Sequence, residues 1–295
     1  MRAKGAVLVL LGAVALGPFG VFAGLLLTAG ASALTQTAWR FFIAGAVYLV
    51  TGLALFQKDV IPSRAQVPYV LATGAIMLLL SLTYIGAVDL GTPVPVVAFL
   101  INTSTLFIIV LSVAFLREGM TRRKMVAATV GVAAVILLSR VWEADSLGSI
   151  QGDGLAISNA LLFAALTVFN RRFVQRVNPQ LVTTWMFFGA AIWSLVPLAG
   201  GYVSLDLTAY QIELVVLMAL VSTFASYSLV NWGMKRVNAS TTAILLFVTP
   251  MTTTLLSYPF LGQVLSAPEA LGAALVLASV LIMWERPRRR LVIAG

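Results

Sequence analysis

The 295-residue chain contains no cysteine and no histidine. That removes thiolate and imidazole metal ligands, cysteine nucleophiles and every Ser-His or Cys-His dyad. No metal, no cofactor and no enzymatic activity is therefore expected. Charge is scarce as well: 10% of residues are charged, against about 25% in an average soluble domain. No stretch remains that could form a soluble domain. Instead 60% of the residues are hydrophobic, gathered into runs that approach the ~20 residues a helix needs to cross ~30 Å of hydrocarbon.

These runs, bounded by charges, Pro, Asn or Gly, predict ten membrane spans: Gly5–Thr28, Ser32–Phe56, Val67–Val88, Thr92–Leu116, Arg123–Ser139, Gly154–Phe173, Gln180–Ala199, Ala209–Gly233, Ala239–Leu261 and Pro268–Trp284. A polar loop with Glu143, Asp145 and Asp153 separates the fifth span from the sixth. The first run is too long for the apolar region of a signal peptide and is expected to stay as a span.

Charge tests the count independently, because Lys and Arg collect on the cytoplasmic side. With both termini inside, the inner segments hold 17 of the 19 basic residues, from Arg2 and Lys4 to the Arg286–Arg290 tail. The outer segments hold Arg140 with Asp89, Glu143, Asp145, Asp153, Asp206, Glu213 and Glu269. The net charge of +9 thus follows from topology, and no nucleic-acid partner is expected. The partners expected are the lipid bilayer, through which the basic tail also touches anionic lipid, and a small-molecule substrate, with a homodimer left open. The sequons at Asn102 and Asn238 fall within the fourth span and at the inner end of the ninth, where neither could be glycosylated.

The chain also repeats itself. Thr37-Ala38-Trp39-Arg40-Phe41-Phe42 in the second span matches Thr183-Thr184-Trp185-Met186-Phe187-Phe188 in the seventh, with seven identities in fourteen positions when extended to Val50 and Val196. Leu111-Ser112 and Phe115-Leu116 match Leu256-Ser257 and Phe260-Leu261, the offsets being 146 and 145 residues. Residues 5–139 and 154–284 are thus two five-helix repeats. An odd number of spans per repeat inserts the second copy from the opposite side, and equivalent loops do exchange charge: Asp89 corresponds to Lys235 and Arg236, and Arg122, Arg123 and Lys124 to Ala267, Pro268 and Glu269. Two equivalent, inverted halves can exchange conformations, which is the argument for transport by alternating access.

At these residues the chain resembles the drug/metabolite transporter superfamily, specifically its EamA-type ten-helix members. Trp39-Arg40-Phe41-Phe42, Phe115-Leu116-Arg117-Glu118 and Thr249-Pro250 carry the resemblance, and Phe260-Leu261-Gly262-Gln263 echoes the Glu118 segment with Gln263 where a Glu is usual. The resemblance implies a carrier in the cytoplasmic (inner) membrane that moves small organic metabolites, often amino acids, frequently outward.

Apart from Arg123, Lys124, Arg171 and Arg172 at the inner ends of their spans, Arg40 is the one basic residue inside a predicted span, about 7 Å from its centre. A charge at a helix centre costs roughly 2.5 to 3.5 kcal/mol on insertion scales, so something must compensate. Either it faces a wet cavity and meets a substrate carboxylate, or it snorkels outward or binds backbone carbonyls; the resemblance favours the second. No acidic residue lies deep in a span, so a facilitator or exchanger for neutral or zwitterionic cargo is expected rather than a proton-coupled pump. The breakers and polar residues near the midplane are the other candidates for the substrate site: Gly17, Pro18, Asn102, Thr105, Asn159, Phe163, Ser222, Thr249 and Pro250. Trp39, Trp185, Tyr84 and Tyr227 could stack on cargo, although aromatics in spans more often serve packing. The alternative function is a passive channel or a lipid-handling membrane protein.

Overall fold

The structure, a computed structural model, describes residues 2–104, 106–108, 110–111, 122–139, 147–174, 178–234, 236–237, 245–246 and 248–283. All regular structure among the described residues is helical. In chain order the helices are α1 Arg2–Leu16, α2 Pro18–Thr28, α3 Ala33–Phe56, α4 Val67–Asp89, α5 Val94–Asn102, α6 Arg122–Ser139, α7 Leu147–Val174, α8 Pro179–Ala199, α9 Ala209–Ala219, α10 Ser226–Met234, α11 Val248–Leu261 and α12 Ala267–Met283. A π turn, Leu220–Ala225, joins α9 and α10 into one rod.

Among the described residues five stretches are long and apolar enough to cross a membrane: Ala3–Thr28, Ala33–Phe56, Val67–Asp89, Gln180–Ala199 and Ala209–Met234. Their surfaces agree with that role. Val50, Leu55, Val196 and, on α11, Leu255 each leave more than 60% of their area uncovered, an apolar exposure that suits hydrocarbon contact.

Local chemistry sets most helix ends. Ser32 caps α3, its Oγ accepting from the Thr35 N–H at 3.2 Å, and Asn178 caps α8 through the Gln180 N–H at 3.1 Å. Gly30 ends α2 with φ of 85°, where a side chain would be strained, while Ala31 N bonds back to Leu26 O at 2.9 Å.

Four departures from the sequence expectations have physical causes. The first span breaks at Gly17, because Pro18 has no N–H to continue the ladder. α5 stops at Asn102, where Thr103 Oγ1 turns back onto Leu100 O at 2.6 Å; residues 105, 109 and 112–116 of that predicted span lie outside the described residues. The eighth span contains the π turn. Asp153, expected in an outer loop, lies within α7: it is 4% exposed and accepts a hydrogen bond from Thr92 Oγ1 at 3.0 Å. Gly152 lets α7 approach Thr92 and the Ala87 carbonyl so closely that a Cβ would collide with both, so tertiary packing makes this polar, glycine-containing stretch helical.

The repeat has a spatial counterpart. α3 packs along α8, and there equivalent residues touch each other. Phe41 lies against Phe187 with ring centroids 6.0 Å apart, and a Cβ on Gly45 would come within 3.0 Å of Ala191 Cβ. Equivalent tryptophans make exchanged bonds: Trp39 Nε1 donates to Ser204 O at 3.0 Å, and Trp185 Nε1 to Val60 O at 2.7 Å. Each therefore ties down the segment that follows the other repeat's helix. One bond recurs at equivalent places: the Gln66 side chain accepts from Ser63 N at 2.8 Å in the turn before α4, and that of Gln211 from Thr208 N at 2.9 Å at the start of α9. These pairs describe a pseudo-two-fold relation whose axis passes between α3 and α8.

The halves are interleaved rather than separate five-helix bundles. α1 packs on α10, α2 on α11, α4 on α7 and α8, and α6 on α12. The main core lies where α3, α4 and α8 meet, around Phe41, Tyr48, Met77 and Phe187.

Candidate functional site

The most polar point of this interior is Arg40, which projects from α3 and is 5% exposed. Its Nε donates to Thr223 Oγ1 at 2.8 Å and its Nη1 to Ser81 Oγ at 3.1 Å. The guanidinium carbon lies 4.4 Å from the Phe19 ring centroid and 4.9 Å from that of Phe41, within cation–π range. The second sequence alternative is not realised as drawn: Arg40 does not snorkel, and its bonds among the described residues go to hydroxyls rather than backbone carbonyls.

Each partner is itself fixed. Ser81 Oγ pairs with Thr37 Oγ1 at 3.0 Å, and Thr223 Oγ1 donates to Met218 O at 3.0 Å, five residues back, inside the π turn. Thr223 and Ser81 lie in different repeats, so the guanidinium bridges both. Around it stand aromatics from several helices. Tyr84 meets Phe19 edge-on at 4.8 Å, Tyr48 stacks on Phe187 at 5.0 Å, and Tyr227 meets Phe187 edge-on at 5.1 Å. Tyr84 reaches so close to α2 that its hydroxyl occupies the space of a Gly20 Cβ. Tyr84 and Tyr227 are only partly buried, and neither phenol donates to a group among the described residues. Ser222 and Ser226, on or next to the π turn, each bury a hydroxyl without a partner among the described residues.

The sequence-predicted residues fall into separate groups. Arg40, Tyr84, Ser222 and Tyr227 belong to or border this cluster. Gly17, Pro18, Thr249 and Pro250 meet at the seam between the first and ninth predicted spans. Thr249 Oγ1 donates to Ala13 O at 3.2 Å and Thr253 Oγ1 to Gly17 O at 2.8 Å, so hydroxyls of α11 bridge to carbonyls beside the Pro18 break. A Cβ on Gly17 would come within 2.6 Å of Thr252 Cβ. Asn159 joins α7 to α4, its Nδ2 donating to Leu80 O and to Thr83 Oγ1 at 2.9 Å. Asn102 donates to Ala98 O in its own helix at 2.7 Å. Phe163 is 39% exposed, Trp39 and Trp185 hold loops as described above, and Thr105 lies outside the described residues.

Sequence reasoning missed Phe19, Ser81 and Thr223. A signal existed for Thr223: Ser222, Thr223, Ser226, Ser228 and Asn231 concentrate small polar residues within one predicted span. Nothing in the sequence distinguished Ser81 from other hydroxyls in spans. Gln263, which departed from the resemblance, has a visible part to play: its Oε1 accepts the Val94 N–H at 2.8 Å and caps α5 from the other repeat.

Comparison with known proteins agrees with this architecture. The model of the EamA-like transporter family matches residues 3–140 and 150–284. An uncharacterized transporter of Bacillus subtilis (strain 168), YyaM, is 26% identical over 260 residues, covering 84% of this chain and 83% of its own. An uncharacterized transporter of Archaeoglobus fulgidus is 24% identical over 251 residues, covering 83% and 86%. A solved crystal structure superposes with a TM-score of 0.65 at 18% identity over 96% of this chain and 97% of that one, a likeness of fold.

Proposed function

Because the chain belongs to the EamA-like transporter family, we propose that this membrane transporter moves small organic metabolites, such as amino acids or related neutral or zwitterionic compounds, as a secondary carrier. It spans the inner membrane ten times with both termini in the cytoplasm, and its interleaved repeats alternate access to a site between them. The observation that carries this reading is the position of the Arg40 cluster: it lies beside the α3–α8 contact and is built from both repeats. A ligand there touches elements of both repeats, which alternating access requires.

The mode is facilitated transport or exchange. Among the described residues the buried acids Asp153 and Glu269 sit near the starts of α7 and α12 rather than at mid-helix. The Gly17–Pro18 break and the Thr249–Pro250 seam provide the hinge at which the first span could bend.

Counterflow in proteoliposomes tests the reading. Vesicles preloaded with one amino acid are expected to take up the labelled compound faster than empty ones, with saturation. Uptake that is neither saturable nor trans-stimulated would make the protein a passive pore. No flux of any compound in a panel of amino acids, organic acids and nucleosides would remove the carrier reading.

A further inference from the structure

Arg40 has more binding capacity than the fold uses. Among the described residues only Nε and Nη1 donate hydrogen bonds, so the Nη2 edge of a planar fork suited to carboxylates remains unclaimed. No described carboxylate pairs with it; the titratable groups that act on it are the phenols of Tyr227 and Tyr48. A buried guanidinium with hydroxyl and ring partners but no anion is incompletely compensated.

The pseudo-two-fold relation supplies a control within the molecule. The position equivalent to Arg40 is Met186, which is 9% exposed in the same core. The fold thus accepts an apolar side chain at this place in one repeat and carries a charge in the other, despite the insertion cost. Packing alone does not call for the arginine.

We propose that Arg40 is the specificity-determining residue of the transport site, its unclaimed N–H edge binding the carboxylate of a substrate whose apolar or aromatic body lies against Tyr84 and Tyr227. The assignment rests on the carrier reading and narrows it to organic carboxylates. It excludes amines and amides of the same shape. Both tyrosines are only partly covered by the fold, and neither phenol spends its proton on a group among the described residues. Because Thr223 and Ser81 anchor the guanidinium from opposite repeats, the bound carboxylate sits on the group that links them.

The purified full-length protein is titrated with 3-phenylpropionate, L-phenylalanine, L-phenylalaninamide and phenethylamine while its thermal unfolding is followed. The two acids are expected to raise the melting temperature with concentration, and to bind at least about tenfold more tightly than the amide and the amine, as loss of a charge-assisted pair implies. Arg40→Gln should abolish this preference, whereas Arg40→Lys should keep it with weaker binding. If the variants do not fold, the acid-against-amide comparison on the native chain decides alone. Equal binding of amide and acid, or no stabilisation by either acid, overturns the assignment. Counterflow separates the two readings: acid binding without trans-stimulated flux would sink the carrier and leave the site, while saturable counterflow of another compound without acid binding would sink the site and leave the carrier.

Discussion

At the scale of single residues, the conspicuous polar side chains divide by whether their hydrogen-bonding capacity is spent. Asn159 donates its amide hydrogens to Leu80 O and Thr83 Oγ1 on α4, which makes it a clamp between α7 and α4. With ~0.6 kcal/mol for an average interhelical hydrogen bond in a membrane protein, Asn159→Ala should cost about 1 kcal/mol of stability. The check is unfolding in detergent together with counterflow; unchanged stability with lost transport would instead put Asn159 on the substrate path. The sequence showed that Asn159 and Arg40 were polar residues in apolar surroundings. It could not show which of them was satisfied, because that depends on partners 79 residues away for Asn159 and 183 away for Arg40. The tryptophans illustrate the same limit. Their repetition was plain, but their exchanged bonds to Ser204 and Val60 require both loops to be in place.

At the scale of elements, most described helices begin and end near where the apolar runs and the charges, Pro, Asn or Gly that bound them predicted. The exceptions arise where tertiary contact overrides local signal, as in the polar start of α7, or where the feature is a hydrogen-bond offset that leaves no residue pattern, as in the π turn. That offset lets Thr223 bond Met218 O and face Arg40, a local irregularity of the kind often found at functional positions. Close helix crossings can be tested by adding one methyl group. A Cβ on Gly74 would meet the α8 backbone at Gly189 and, 2.7 Å away, Ala190 N, neither of which can rotate aside, whereas Gly154 has nothing within 4 Å. Gly74→Ala should therefore destabilise by about 1 to 3 kcal/mol through overpacking. Gly154→Ala should be neutral or slightly stabilising through helix propensity. Paired melting curves of the two variants read the difference, and equal shifts would mean that the α4–α8 crossing is looser than this geometry.

At the scale of the whole molecule, the repeat was legible because Trp and Phe are rare enough for a match to carry information. Its consequence in space was less legible. The sequence divided the chain into two five-helix repeats but left their mutual packing open; in the structure they interleave, so that α1 packs on α10 as α4 packs on α7. An axis between α3 and α8 relates these contacts, and it also relates the turn at Ser63 that leads into α4 to the start of α9 at Thr208. Under an inverted repeat those equivalent positions must lie on opposite sides of the membrane. Both residues are exposed, and the absence of native cysteine makes single introduced thiols unambiguous reporters. In intact cells, a membrane-impermeant maleimide is expected to label Thr208→Cys directly and Ser63→Cys only after the membrane is permeabilised. Labelling of both from the same side would contradict the inversion, and with it the ten-span topology, while leaving the α3–α8 packing intact. Labelling in the reverse order would preserve the inversion and turn the whole protein over. The charge division argues against that outcome, since Arg64 lies beside Ser63 and Asp206 beside Thr208.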